Sequence, residues 1–250
     1  MKRPVMIAAL LFSTLSLLAG PTELFNQGVE SFKSGDFKGA IDAWTGVLSE
    51  GVEDPRVYYN LGNAYFRDNQ PGRAVLSYER ALRLDPLDRQ TRENLEFVRL
   101  RLKDRFDTTG GGPYARFLHF LDAHASVRTL SWIFLVLVLI LNFLWTAALL
   151  RREKSFRTLV TFVASVLVAI LLLVGPALGY RLYKTHLVEE GVILSPAVTA
   201  RSAPQDDGTE LFVAHEGTRV RLWESVGEWR RVTLPNGLTG FIPADAVETI

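Results

Sequence analysis

The sequence predicts a multidomain membrane protein made of an all-α helical-repeat domain, a two-helix transmembrane hairpin and a small all-β barrel. Three observations predict this fold class. Small and apolar residues recur at an interval of 34 in the N-terminal half, which is typical of stacked helical repeats. Two long segments without charged residues follow in the middle of the chain. The last quarter changes to short β-branched segments separated by turn residues.

Residues 1–20 are predicted to form a signal peptide or an N-terminal membrane anchor. Lys2 and Arg3 precede an apolar segment that ends in small residues, which is the order of a secretory signal. Pro21 directly after Gly20 makes the cleavage site imperfect, so cleavage and retention both stay open. In both cases the segment that follows is expected to be exported.

Residues 21–54 and 55–88 are predicted to be two helical repeats. Five positions recur between them: Gly28 and Gly62, Phe32 and Phe66, Ala40 and Ala74, Trp44 and Tyr78, Leu48 and Leu82. The small residues let two helices cross closely, and the large ones fill the space beside the crossing. Residues 88–104 are predicted to add a capping helix, which completes a domain of residues 21–104. Its apolar face is expected to hold Leu95, Val98 and Leu102.

The second copy resembles the tetratricopeptide repeat family at the positions that define the helix pair. These are Tyr58, Leu61, Gly62, Tyr65, Ala74, Tyr78, Ala81 and Pro86. The resemblance implies a concave groove for a protein partner, lined by the first helix of each repeat. The groove positions are then Phe25, Val29, Phe32, Lys33, Tyr59, Asn63, Phe66 and Arg67. Aromatic side chains beside Lys and Arg suit a peptide or a partner helix, but Phe32 and Phe66 are equally expected in the core between repeats.

Residues 130–150 and 158–180 are predicted to cross a membrane as helices. Neither segment contains a charged residue, and at about 1.5 Å per residue each spans a hydrocarbon layer of ~30 Å. Residues 151–157 hold four basic residues and one acidic residue, so the positive-inside rule predicts a cytoplasmic loop. Residues 105–129 are predicted to be a linker with either an interfacial helix or an extension of the first span. The protein is thus expected in the bacterial cytoplasmic membrane, with both soluble domains on the extracytoplasmic side.

Residues 187–250 are predicted to form the all-β domain. Apolar and polar residues alternate in short segments that fit a small closed barrel, and Asn236-Gly237 suits a hairpin turn. The segment resembles bacterial SH3-like domains at residues 201–204, 216–218, 229 and 237–243. The resemblance implies a binding face for cell-wall peptides, glycans or proteins at Trp223, Trp229 and Phe241, where the family usually has Trp at the last position. The alternative is that the two tryptophans belong to the barrel core.

The composition argues against an enzyme and against nucleic-acid binding. The chain has no cysteine, which excludes thiolate catalysis and cysteine-ligated metals. The sequence signatures of serine hydrolases, zinc peptidases and nucleotide-binding enzymes do not occur, and His119 and His124 are spaced too far apart for a zinc pair on one helical face. A net charge of +1 provides no field to attract nucleic acid. No catalytic residue, metal or cofactor is therefore predicted.

The order of the parts resembles the E-type proteins of the Bacteroides aerotolerance (Bat) group, which are encoded beside von Willebrand-type membrane proteins and a MoxR-like ATPase. The resemblance implies a non-enzymatic scaffold in an envelope complex for stress or oxygen tolerance. Its partners would be membrane proteins, such as the von Willebrand-type Bat proteins, and the lipid bilayer. The alternative function is a cell-wall anchor that binds peptidoglycan through the SH3-like domain. The sequence leaves open whether the two soluble domains touch.

Overall fold

A computed structural model of the protein describes residues 20–104, 106, 117, 120–121, 125–151 and 153–250. The chain divides into two compact units. One unit joins the chain up to Phe106 with Glu190–Ile250, and the other is Asp107–Glu189. The predicted signal peptide or anchor and most of the predicted linker lie outside the described residues.

The N-terminal part of the first unit is all α-helical, as predicted. Its helices are α1 (Pro21–Ser34), α2 (Phe37–Ser49), α3 (Pro55–Arg67), α4 (Pro71–Leu84) and α5 (Arg89–Arg99). The helix pairs α1–α2 and α3–α4 form two hairpins, and α5 packs on α4. The N-terminus of α3 is capped by the side chain of Asp54, which accepts a hydrogen bond of 2.8 Å from the backbone N–H of Arg56.

A glycine in the first helix of each hairpin allows the second helix to pack closely. A Cβ added to Gly28 would lie 2.4 Å from the indole nitrogen of Trp44, and one added to Gly62 would lie 2.5 Å from the ring of Tyr78. Neither position has room for a side chain. The two contacts are equivalent, which explains the interval of 34 between them. Around the first contact the buried core consists of Ala40, Trp44, Val47, Val57, Leu61 and Ala64.

The C-terminal part of the first unit is a single antiparallel sheet, which confirms the predicted change to β structure. Its strands are β1 (Glu190–Ile193), β2 (Ala197–Arg201), β3 (Glu210–His215), β4 (Arg219–Val226), β5 (Trp229–Thr233), β6 (Thr239–Pro243) and β7 (Val247–Thr249). The strand order is β3-β2-β6-β5-β4-β1-β7. One side of this sheet encloses a core of Ile193, Val198, Ala200, Ala214, Val220, Leu222, Val232, Leu234, Ile242 and Ala246.

The sheet does not close into the predicted barrel. Within residues 190–250, β3 and β7 are the two ends of the strand order and do not pair with each other. The strands beside β7 pack on the repeat helices instead. Val192 of β1 is buried in one cluster with residues of α4 and α5, and Ile250 packs against that cluster. This end of the sheet is therefore covered by helices rather than by β3.

The second unit contains two long apolar helices. α6 (Val127–Leu150) has 24 residues and α7 (Lys154–Leu187) has 34 residues. Both are long and apolar enough to cross a membrane, and the predicted spans 130–150 and 158–180 lie inside them. α7 extends past the predicted span at both ends and continues through Pro176. The two helices pack against each other and expose large apolar side chains elsewhere.

Candidate functional site

The first candidate site is the surface formed by the first helix of each hairpin, α1 and α3, together with α5. We call this surface the first-helix face. The 34-residue interval continues into α5, because Asn63, Phe66 and Arg67 have Phe97, Leu100 and Arg101 at the next interval. Sequence reasoning treated this segment only as a cap and missed these three residues. Applying the interval a second time would have found them.

On α1, the predicted groove residues are mostly part of the hairpin packing. Phe25, Val29 and Phe32 are half-buried and pack against the first core. The ring of Phe32 lies 6.0 Å from that of Trp44, whose indole N–H donates to the carbonyl of Phe25 at 3.2 Å. Lys33 is exposed and forms a 2.8 Å ion pair with Glu30, so it is available at the surface.

On α3, the predicted residues connect three helices. The side-chain oxygen of Asn63 accepts a 2.7 Å hydrogen bond from the hydroxyl of Tyr78 on α4 and a 3.0 Å bond from Asn94 on α5. The hydroxyl of Tyr59 accepts a 2.6 Å bond from Gln90, also on α5. Burial raises the pKa of Tyr78 well above its ordinary value, so the hydroxyl remains a donor. Asn63 and Tyr59 therefore hold α3 against its neighbours.

An exposed cluster lies where α3 meets α5, and we call it the aromatic–arginine cluster. The rings of Phe66 and Phe97 meet edge to face at 5.7 Å. The guanidinium of Arg101 lies 3.5 Å from the ring centroid of Phe97. Phe97 is 47% exposed and the adjacent Leu100 is 55% exposed. Aromatic and arginine side chains at a partly exposed site are the composition of binding hot spots.

The same face carries cations at the interval of 34 residues, near the C-terminal ends of α1, α3 and α5. These residues are Lys33, Arg67 and Arg101, and all three are exposed. The guanidinium of Arg67 lies 4.9 Å from the ring centroid of Phe37, at the start of α2. The predicted groove thus combines an apolar floor with cations along its border.

The second candidate site is the outer face of the sheet, which is the side opposite its buried core. Trp223, Trp229 and Phe241 lie on this face because they alternate with the inward residues of β4, β5 and β6. Trp223 is 39% exposed, and its indole N–H donates to the hydroxyl of Thr233 at 2.9 Å. Neither tryptophan is among the core residues of the sheet.

Two arginines flank the ring of Trp223. Arg221 lies 5.8 Å and Arg231 lies 5.5 Å from its centroid. Arg231 is also the cross-strand neighbour of Phe241 and forms a 3.1 Å ion pair with Glu224. The outer face therefore presents an aromatic surface with positive charge around it.

A buried ionic network joins the sheet to the repeat helices. Glu79 of α4 is 7% exposed at its side chain and accepts two 3.2 Å hydrogen bonds from Arg219 of β4. Arg99 also pairs with Glu79, and Glu190 also pairs with Arg219. Burial would lower the pKa of Arg219, but the charges of Glu79 and Glu190 outweigh it and raise that pKa.

A second polar contact between the same parts lies after α5. The carboxylate of Asp104 accepts hydrogen bonds from the backbone N–H of His215 at 2.7 Å and from the hydroxyl of Thr218 at 2.9 Å. The ring Nδ1 of His215 lies 2.8 Å from the other carboxylate oxygen. Burial would raise the pKa of Asp104, but these bonds hold it below its ordinary value. Sequence reasoning missed both contacts.

Among the described residues, no three His, Cys, Asp or Glu side chains are grouped to hold a metal ion. The two faces offer aromatic contact area, cations and hydrogen-bond donors, which suit recognition.

Comparison with known proteins identifies one part of the chain. Residues 55–87, which contain α3 and α4, match the tetratricopeptide repeat family. The chain is also 37% identical over 60 residues to the heat shock protein sti1 homolog of Schizosaccharomyces pombe. That match covers 24% of this chain and 10% of the relative, so the chain spans about a tenth of the length of that protein.

Proposed function

We propose that the protein is a membrane-anchored scaffold that binds a protein partner through its first-helix face. Tetratricopeptide repeats are interaction scaffolds, since stacked helices present an extended concave surface. The observation that carries the proposal is the aromatic–arginine cluster of Phe66, Phe97 and Arg101 beside the exposed Leu100. A partner that buries these side chains removes their apolar area from water. The adjacent arginine can fix the orientation of that partner.

Membrane anchoring is supported by α6 and α7 and by the way their flanks fold. The chain leaves the first unit at Phe106 and returns to it at Glu190. If α6 and α7 cross a bilayer, both flanks must lie on one side of it, because they form one folded unit. The basic residues around the α6–α7 connection favour a cytoplasmic loop by the positive-inside rule. The first unit is then extracytoplasmic, in agreement with an N-terminal export signal.

The finer assignment is an SH3-like β domain in a Bat-type envelope complex. Its support is the order of the parts and the short SH3-like segments of the sequence, together with an antiparallel sheet of seven strands. In this proposal the partners are envelope membrane proteins of the von Willebrand type, and the protein has no catalytic role.

A second candidate function is peptidoglycan binding through the outer face of the sheet. The observation that favours it is the ring of Trp223 between Arg221 and Arg231. A tryptophan ring stacks on a sugar ring, and guanidinium groups pair with the carboxylates of cell-wall peptides. This function does not require the first-helix face.

Two variants separate the functions. The pair Phe97→Ala and Arg101→Ala should abolish capture of membrane proteins by the full-length protein from detergent-solubilised envelopes. Trp223→Ala should leave that capture unchanged and reduce sedimentation with purified sacculi. The scaffold proposal is wrong if the Phe97 and Arg101 variant is folded, by circular dichroism, and still captures the same proteins.

The orientation is tested by cysteine labelling, because the chain has no native cysteine. Single cysteines at Asn26, Ser155 and Asn236 are all at exposed positions. A membrane-impermeant maleimide on intact spheroplasts should label the first and third positions and spare the second until the membrane is opened. If only Ser155→Cys is labelled, the orientation is the reverse of the proposed one.

A further inference from the structure

α6 carries one carboxamide, Asn142, within a predicted span that has no charged residue. At 1.5 Å per residue, Asn142 lies roughly 5 Å from the midpoint of the 24-residue helix. In the proposed membrane-anchored state it is therefore inside the hydrocarbon layer of ~30 Å. The side chain is exposed, so the protein itself does not shield it.

The hydrogen bonds of Asn142 differ from those of the hydroxyl groups in the two spans. Hydroxyl side chains at five other positions donate to carbonyls of their own helix: Ser131, Thr146, Thr158, Thr161 and Ser165. A hydroxyl that donates in this way has used its only hydrogen and needs no further acceptor. Asn142 donates one N–H to the carbonyl of Val138 at 3.3 Å. Its side-chain oxygen and second N–H have no other hydrogen bond among the residues that the structure describes.

An unpaired carboxamide is costly in hydrocarbon, where no water can replace the missing partner. Transmembrane helices relieve this cost by a hydrogen bond to a polar side chain of another helix at the same depth. α7 does not supply that group, because the contact between α6 and α7 uses another face. Phe134 belongs to that contact, since a Cβ added to Gly175 would lie 3.4 Å from its ring. The half-buried positions that follow at the same spacing are 137, 141, 144 and 148.

We propose that Asn142 pairs with Asn142 of a second copy of this chain, so that α6 forms a homodimer contact in the membrane. A carboxamide contains both a donor and an acceptor, so two copies complement each other. A twofold axis along the membrane normal keeps the two copies of each residue at the same depth in the bilayer. Asn142 of one copy then lies opposite Asn142 of the other. A different partner would need a polar group of its own at this depth. The proposal rests on the membrane anchoring proposed above.

The residues around Asn142 form a continuous seam on the exposed side of α6. They follow the alternating spacing of four and three that lets two helices interdigitate. The seam consists of Leu135, Leu139, Asn142, Thr146 and Leu149, all of which are exposed. Ile140 is also exposed but points about 140° away from the centre of this seam, at 100° per residue.

The test uses single cysteines in the full-length, otherwise cysteine-free protein in the membranes of producing cells. Leu139→Cys and Thr146→Cys should cross-link to a species of twice the mass on oxidation, and Ile140→Cys should not. Adding Asn142→Leu to Leu139→Cys should lower the cross-linked fraction about threefold or more, as loss of one interhelical hydrogen bond predicts. Asn142→Gln should retain most of the cross-linked fraction, and Thr161→Val should leave that fraction unchanged.

Three results would overturn the homodimer. They are equal cross-linking at Ile140→Cys and Leu139→Cys, an unchanged fraction in Asn142→Leu, and cross-linking at the seam to a different protein. A prior wash of the membranes with alkaline carbonate separates this failure from failure of the anchoring proposal. Release of the protein by the wash would refute membrane anchoring itself, whereas retention with no cross-link would refute only the pairing of Asn142.

Discussion

The guanidinium of Arg219 binds the carboxylate of Glu79 at 3.2 Å, although the two residues are 140 positions apart in the chain. The two apolar helices α6 and α7 lie between them in sequence. The contact therefore joins the part of the chain that precedes those helices to the part that follows them. A partner that binds the repeat helices therefore binds a folded unit that also contains the sheet.

Glu79→Gln should lower the free energy of unfolding of the first unit by about 1.5–3 kcal/mol, because it removes the buried carboxylate that binds Arg219 and Arg99, while Arg219 keeps its pair with Glu190. The matched control is Glu93→Gln, whose exposed carboxylate pairs with Arg89 one turn away and should cost about 0.5 kcal/mol or less. Urea unfolding of both variants in the same detergent measures the difference. Equal losses would show that the network adds nothing beyond a surface ion pair.

Acid should weaken the contact at Asp104. Its pKa is held below the ordinary value, so its contribution is complete above the unfolded-state pKa of about 3.9 and is lost as the pH falls through the lower folded-state pKa. At pH 7, Asp104→Asn should cost about 2 kcal/mol through weaker bonds to His215 and Thr218. The gap in unfolding free energy between wild type and variant should narrow towards pH 3. A gap independent of pH would contradict this assignment.

Gly62→Ala should destabilise the second hairpin by about 1–3 kcal/mol, because the new Cβ would overlap the ring of Tyr78. Gly46→Ala is the control, since its Cβ would meet only the flexible end of Leu24 at 3.3 Å. Higher helix propensity should make that variant neutral or slightly more stable. Thermal unfolding followed by circular dichroism compares the two. Similar midpoints would mean that the helix crossing tolerates a side chain.

Replacing residues 107–189 with a flexible Gly/Ser linker should yield a soluble, folded first unit. Its core and its ionic network come entirely from the flanking segments. A linker of about 20 residues spans roughly 25 Å. A single cooperative unfolding transition would support the prediction if Glu79→Gln still lowers its free energy. Two separate transitions, one for the helices and one for the sheet, would contradict it.

Sequence reasoning succeeded where the pattern is local. The spacing between Gly28 and Gly62 reflects a contact made within each hairpin, so the repeat could be read without knowing the tertiary structure. The apolar spans could be read from length and composition alone. The position of Phe97 was also encoded in the same interval, but the segment was interpreted only as a cap.

The features that could not be predicted depend on contacts between segments that are distant in sequence. Nothing near Arg219 in sequence indicates that its counter-charge is Glu79, since the pair forms only when the sheet packs on α4. The closed barrel was expected because strand alternation does not distinguish a closed sheet from one whose end is covered by helices. Val192 shows the difference, because it points away from the sheet core that contains Ile193 and is buried against residues of α4 and α5.

The first unit is assembled from two segments of the chain that are synthesised at different times. The surface of α4 that carries Glu79 leaves the ribosome well before Glu190 and Arg219 have been made. At roughly 5–20 residues per second, that surface stays uncovered for seconds while residues 107–189 are synthesised. Until Arg219 and Val192 have been made, Glu79 has only Arg99 as its counter-charge and the apolar patch on α4 and α5 stays uncovered.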